Sequence, residues 1–176
     1  IGGSYARGLR RLGVDHIIAV DPDEKALQQA KQEGMVDDIY TAGTEALKQA
    51  DLVIFCTAAD VMIRFLAENK AFFTPGTILT DVAGIKGDTA TAIAALLPEG
   101  VDFVPGHPMA GREGRGYAMA SADIFNGANY ILVPMEGNDE EHILAVKNMA
   151  MALGCSHVVR VTPEDHDRFI AYTSSL

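Results

Sequence analysis

IGGSYARGLRRLG, Ile1–Gly13, followed two residues later by HIIAVD, His16–Asp21, is the stretch whose reading decides the fold. Glycines open a helical pattern, a β-branched run follows it, and an acid closes that run. In a G-x-G-x-x-G dinucleotide fingerprint the first glycine makes the strand-to-helix turn, the second admits a pyrophosphate, and the third lets helix and strand touch. Gly2 fits the third position, so a strand and two further glycines are expected before Ile1. Backbone N–H groups at the start of a helix running from Ser4, with Gly2, Gly3 and Ser4 as the cofactor-binding residues, would then face phosphate. Asp21 lies 19 residues after Gly2, where the fingerprint places an acid that accepts hydrogen bonds from the adenosine ribose hydroxyls. A carboxylate there repels a 2′-phosphate, which favours NAD over NADP. The competing reading is that Asp21 only opens a turn with Pro22.

The same order of elements recurs along the chain. His16–Val20, Asp51–Cys56, Thr77–Asp81, Val101–Pro105, Asn129–Pro134 and Ser156–Val161 have the length and composition of buried strands. Their continuous apolar character suggests a sheet covered on both faces, hence mostly parallel. Helices are expected from Asp23 through Glu33, over Ala59–Lys70 and over Thr89–Leu97. A further one starts at an Asn138 cap, and a last one at Thr162-Pro163 is still running at Leu176. Repeated strand–helix–strand order is the signature of an α/β, Rossmann-like, doubly wound fold. Residues 1–162 are expected to form this unit, with its first strand missing.

Composition narrows the partners. Fourteen Lys and Arg against 24 Asp and Glu give a formal net charge of −10. A duplex nucleic-acid binder needs the opposite sign, because its affinity comes from cations neutralising phosphates. Anionic lipid is disfavoured for the same reason. With 48% hydrophobic and 22% charged residues the composition is that of a soluble globular protein. No apolar run approaches the roughly 18 residues of a membrane span. Cys56 and Cys155 have no metal-ligand spacing and read as reduced, packed thiols of a cytoplasmic protein. No metal site is expected.

Strand ends should carry the chemistry, since ligands of open α/β sheets lie beyond the carboxyl ends of the strands. Thr57 and Ala58 follow one strand; Ala83 and Gly84 follow another, and their small side chains would let a cofactor ring approach the backbone. Lys86 reads as a solvated surface lysine, with a phosphate or carboxylate contact as the alternative. The long stretch Pro105–Gly127 is glycine-rich, and long ordered loops are usually functional. In it His107 sits between Gly106 and Pro108. An imidazole titrating near neutrality suits a base that collects a hydroxyl proton. Arg112 and Arg115 could grip substrate carboxylates, or face solvent. His16, His142, His157 and His166 read as structural.

IGGSYARGL, TDVAGIKG, GHPMAGREGRG with the downstream DIFNGANYILVP, and the terminal HDRFIAYTSSL together resemble the prephenate dehydrogenase family. HPMAG-x-E-x-x-G is the specific part, and the resemblance covers essentially the whole chain in order. It implies NAD-dependent oxidative decarboxylation of prephenate to 4-hydroxyphenylpyruvate in tyrosine biosynthesis, with arogenate dehydrogenation as the near alternative and a nucleotide-binding fragment without a complete active site as the other. Residue by residue, it implies His107 as the catalytic histidine, Glu113 as an acid of the substrate pocket, and Gly2 and Asp21 at pyrophosphate and ribose. Where many members carry a serine that positions the substrate hydroxyl and nicotinamide, this chain has Gly84. The family also has a second, helical domain that dimerises, and residues 163–176 resemble the helix leading into it. The chain is therefore expected to be the N-terminal part of a longer homodimeric enzyme, inactive alone.

Overall fold

A computed structural model describes residues 1–111, 114 and 116–173. Helix α1 spans Gly2–Arg11, starting two residues before the Ser4 expected from sequence. Strand β1 (Ile18–Val20) follows, then α2 (Glu24–Gln32) and β2 (Asp38–Tyr40). Asp23 caps α2 by accepting from the Lys25 and Ala26 amides, which satisfies N–H groups that have no acceptor within a helix. β1 and β2 pair in parallel. β2 was not expected: three residues, each only partly buried, carry too short an apolar signal to stand out.

Next come β3 (Leu52–Phe55), α3 (Ala59–Asn69), β4 (Ile78–Asp81), α4 (Gly87–Ala94) and β5 (Asp102–Phe103). The three strands form a parallel ladder in the order β3-β4-β5, with Phe55 level with Asp81. That register brings the segments after β3 and β4 out at one edge. Met62 and Leu66 of α3, Leu79 of β4 and Ile93 of α4 are all fully buried against this ladder. Each such side chain contributes about 1.5–3 kcal/mol relative to exposure.

The third ladder corrects the expectation of a wholly irregular Pro105–Gly127 stretch. β6 (Gly106–Pro108) pairs antiparallel with β7 (Asn129–Leu132), and β7 pairs in parallel with β8 (His157–Arg160). Short 3₁₀ turns at Tyr117–Met119 and Ala122–Phe125 bridge β6 and β7. The sheet content is thus mostly parallel with one antiparallel strand. Between β7 and β8 runs α5 (Glu140–Leu153), whose Ile143, Val146, Ala150 and Leu153 recur at helical spacing and pack on Tyr130, Leu132 and Phe125.

The cap of α5 differs from the sequence reading. Asp139, not Asn138, accepts from the Glu141 amide. Asn138 turns inward, accepting from the Met135 amide and donating to Asp102 and the Phe103 carbonyl. Tertiary partners out of sight of local sequence decide between two adjacent capping residues. α6 (Pro163–Thr173) starts as expected, with the Thr162 hydroxyl accepting from the Asp165 amide. No helix among the described residues is long and apolar enough to cross a membrane.

Candidate active site

The glycine pair at the start of α1 meets two different neighbours. A Cβ on Gly2 would lie 3.3 Å from Cys56 Cβ, just after β3. Helix and strand end touch there, which is what the third glycine of the fingerprint allows. A Cβ on Gly3 would lie 2.7 Å from the Tyr117 ring and 2.9 Å from Ala120 Cβ. Gly3 therefore makes room for the first 3₁₀ turn to close on α1. Ser4 is buried, and its hydroxyl accepts from the Ser121 amide, so this side chain is committed to the same junction. The Gly2 and Gly3 amides sit in the first turn, where a helix offers them no internal acceptor.

Ile1 and Ser4, on either side of these glycines, line a cleft of about 330 Å³ together with Ala110, Gly111, Gly114 and Gly116. The glycine-rich loop after His107 thus faces the positive end of the α1 dipole. Tyr117 ties the loop down: its hydroxyl donates to Glu33, and Arg7 lies over its ring while pairing with the same Glu33. Burial raises the Tyr117 pKa, and its bond to Glu33 raises it further, keeping the phenol a donor.

Asp21 follows β1 directly and is exposed. Its Oδ1 accepts from the Asp23 amide at 2.8 Å, closing the turn around Pro22. The turn-forming role is real, and it uses one carboxylate oxygen. Thr57 and Ala58 are exposed beyond β3, with the Thr57 hydroxyl donating to the Ala58 carbonyl at 3.3 Å. Ala83 donates its amide to Asp81 Oδ2, and Gly84 is exposed. Burial pushes the Cys56 thiol up to about 12, which makes it packing rather than a nucleophile.

His107 stands opposite Gly84. A Cβ on Gly84 would lie 3.8 Å from His107 Cε1 and 4.0 Å from Nε2. The Nε2 edge of the imidazole is therefore turned toward the segment after β4, and a side chain at position 84 would meet it at ordinary contact distance. His107 is held near 4, well below its ordinary 6.5, first by burial and then by the nearby His166 and Lys86. It is neutral around pH 7 and free to accept a proton.

Two groups that the sequence reading set aside hold this histidine. Lys86 is not a solvated surface lysine. It is 1% exposed, and its Nζ donates to Asp81 Oδ1 at 2.7 Å, Asp81 Oδ2 at 2.6 Å and the Gly106 carbonyl at 2.6 Å. Asp81 Oδ1 in turn accepts from the Gly106 amide. The buried ion pair thereby grips both backbone groups of the residue before His107. Desolvation lowers the Lys86 pKa, and the attraction of Asp81 opposes that loss. Burying two charges is costly unless every donor and acceptor is used, and here all three Nζ donors have acceptors.

The second group is His166, fully buried on α6, whose Nε2 lies 2.9 Å from His107 Nδ1. Its own Nδ1 lies 2.8 Å from Asp167 Oδ1. Asp167 also accepts from the Lys86 and Gly87 amides at the start of α4. Neither Lys86 nor His166 carries a local sign of burial. The signals that could have found them are a lysine five residues after a strand-end aspartate and a histidine followed by an aspartate. Arg112, Glu113 and Arg115 lie outside the described residues. Among the described residues no cluster of His, Cys, Asp and Glu is placed to hold a metal.

The family model for the prephenate dehydrogenase nucleotide-binding domain matches residues 5–159. A prephenate dehydrogenase of Bacillus subtilis (strain 168) is 31% identical over 174 residues, covering 95% of this chain and 45% of that protein. The crystal structure of Synechocystis arogenate dehydrogenase superposes with a TM-score of 0.90 at 29% identity, covering 98% of this chain and 60% of that one. Prephenate dehydrogenase from A. aeolicus, in complex with hydroxyphenyl propionate and NAD+, superposes with a TM-score of 0.86 at 26% identity, covering 96% and 58%. The chain spans about half the length of the relatives it matches. A glycine-opened α1, an acid closing β1 and a strand-borne histidine facing the end of β4 share one Rossmann-like frame. By that frame and its family match, the chain belongs to the prephenate dehydrogenase family, as its nucleotide-binding domain.

Proposed function

We propose that this chain is the cofactor half of an NAD-dependent prephenate dehydrogenase of tyrosine biosynthesis. The observation that carries the reading is the neutral His107 imidazole, with Nε2 turned toward the strand end where a nicotinamide would lie. The α1 amides of Gly2 and Gly3 would meet the pyrophosphate, and the exposed Asp21 the adenosine ribose. The Ser4 amide, expected beside them, instead donates to the Ile1 carbonyl at 2.9 Å. Thr57, Ala58, Ala83 and Gly84 would line the nicotinamide. The fit rests on the Gly2 contact with Cys56 and on the absence of bulk at Ala58, Ala83 and Gly84. NAD, when bound, supplies the hydride acceptor.

His107 Nε2 accepts the proton of the substrate hydroxyl as the carbon bearing it loses hydride. The carboxylate on the opposite ring carbon leaves as carbon dioxide, its bonding pair completes the aromatic ring, and His107 returns the proton to the phenolic oxygen. Base catalysis of this kind contributes about 10²–10⁴-fold. Arg112 and Arg115 would bind the substrate carboxylates, and Glu113 would serve as an acid of the substrate pocket. A second, helical domain beginning near residue 163 would complete the pocket and form the homodimer, in the cytoplasm.

Arogenate is the second reading, favoured by the Synechocystis structure. Assaying the full-length protein with each substrate, in NAD and in NADP, separates the readings. Turnover of prephenate with NAD is expected. Turnover of arogenate alone would replace it, and turnover of neither would reject both.

A further inference from the structure

We propose that Asp167 and His166 act on His107 as positioning residues, fixing its proton on Nδ1 so that Nε2 is the base. They then share the positive charge that the reaction places on His107. This deepens the role given to His107 above and rests on it.

The tautomers follow by elimination along the hydrogen-bond chain. Asp167 takes two backbone amides, Lys86 N at 2.9 Å on Oδ1 and Gly87 N at 2.9 Å on Oδ2. Burial works to raise its pKa, but the bonds from His166 and from these amides outweigh it and hold the carboxyl below its ordinary value. An ionised carboxylate only accepts, so His166 Nδ1 must be the N–H at their 2.8 Å contact. In the neutral form that the proposal assigns to the resting enzyme, His166 has a bare Nε2, which can only accept. Its 2.9 Å partner, His107 Nδ1, must donate. His107 Nε2 is left with a lone pair on the edge facing Gly84. One carboxylate, seated on α4, thus determines where a proton sits two rings away.

The same chain answers an electrostatic problem. When His107 collects a proton, charge develops in a half-buried site close to the Lys86 ammonium, which works against it. Asp81 neutralises that ammonium from β4, and His166 faces His107 from α6 with Asp167 paired behind it. As Nε2 gains the substrate proton, Nδ1 can pass its own to His166 Nε2. The cation then rests on His166, its Nδ1–H against the Asp167 carboxylate, and the transfers reverse when the product oxygen takes its proton back. Asp167 stays ionised throughout. An aspartate that orients a catalytic imidazole and stabilises its cation is established chemistry in hydrolases; here a second imidazole lies between.

The test uses the full-length protein with ¹⁵N-labelled histidine, and the variants His166→Leu, His166→Gln and Asp167→Asn. In the wild type at neutral pH, His107 is expected to show a protonated Nδ1 and a bare Nε2. His166→Leu removes the acceptor; it should mix the tautomers and lower kcat by about 10²-fold with KM for NAD unchanged. His166→Gln keeps an acceptor oxygen but cannot carry the charge, so it should keep the tautomer and recover part of the rate. Asp167→Asn should fall between the two. A wild-type His107 protonated on Nε2 would overturn the proposal, and that spectrum decides even if His166→Leu fails to fold. So would full activity of His166→Leu in a protein whose His107→Asn variant is inactive. If His107→Asn is itself active, it is the base assignment that fails.

Discussion

The two ends of the candidate site are built differently. The nucleotide end is assembled from neighbours in sequence: Gly2, Gly3 and Ser4 begin one helix, and Asp21 ends the next strand. The histidine end draws Asp81, Gly106, His107, His166 and Asp167 from three separate elements, and Lys86 from the residue before α4. Motif spacing reports a site of the first kind, because the backbone itself sets the geometry. It does not report the second, whose geometry comes from packing between segments up to 81 residues apart. Damage at the histidine end should therefore reach the fold, whereas damage at the nucleotide end should alter selectivity and leave the fold intact.

Lys86→Met gives the largest expected effect. It leaves the Asp81 carboxylate buried without its counter-charge, which costs about 3–5 kcal/mol, and strips the Gly106 carbonyl of its donor. Chemical denaturation should show the loss, and an Asp81→Leu, Lys86→Met double variant should recover part of it. A loss below 1 kcal/mol would mean that the pair does not brace the histidine end.

Asp21→Ser should act at the opposite end without changing stability. It removes a like-charge contact with a 2′-phosphate, worth about 1–4 kcal/mol at such separations. Discrimination against NADP should weaken by that amount in a binding titration. Unchanged discrimination would leave Asp21 with only its bond to the Asp23 amide.

Smaller still is the cap of α5. Asp139→Ala should cost about 1 kcal/mol of stability. Asn138→Ala should cost more, because it also strips partners from Asp102 and the Phe103 carbonyl. The reverse order would mean that the Asn138 bonds to Asp102 and the Phe103 carbonyl contribute little.

Acid sharpens the same comparison. His107 is neutral down to about 4 in the fold, against an ordinary 6.5. Between those values the unfolded chain binds a proton that the folded chain refuses. Its stabilising contribution is therefore complete above 6.5 and is lost as the pH falls toward 4. His107→Asn should flatten stability across that window. A profile identical to the wild type would place the imidazole in water.

The α/β order, the helix starts at Asp23 and Thr162, and the strands β3 and β4 were legible because their periodicity and caps are local. β2 and β6 were not, being three-residue strands that only pairing defines. His107 was legible through its motif, while its support was not. His166 looks like any early-helix histidine until α6 is laid against β6, and Lys86 like any loop lysine until Asp81 is beneath it.

Turnover of prephenate by full-length His107→Asn, measured beside its NAD affinity, tests the role of His107 most directly. NAD should bind as in the wild type while turnover falls by about 10²–10⁴-fold. Near-normal turnover in a variant that binds NAD would show that another group takes the proton.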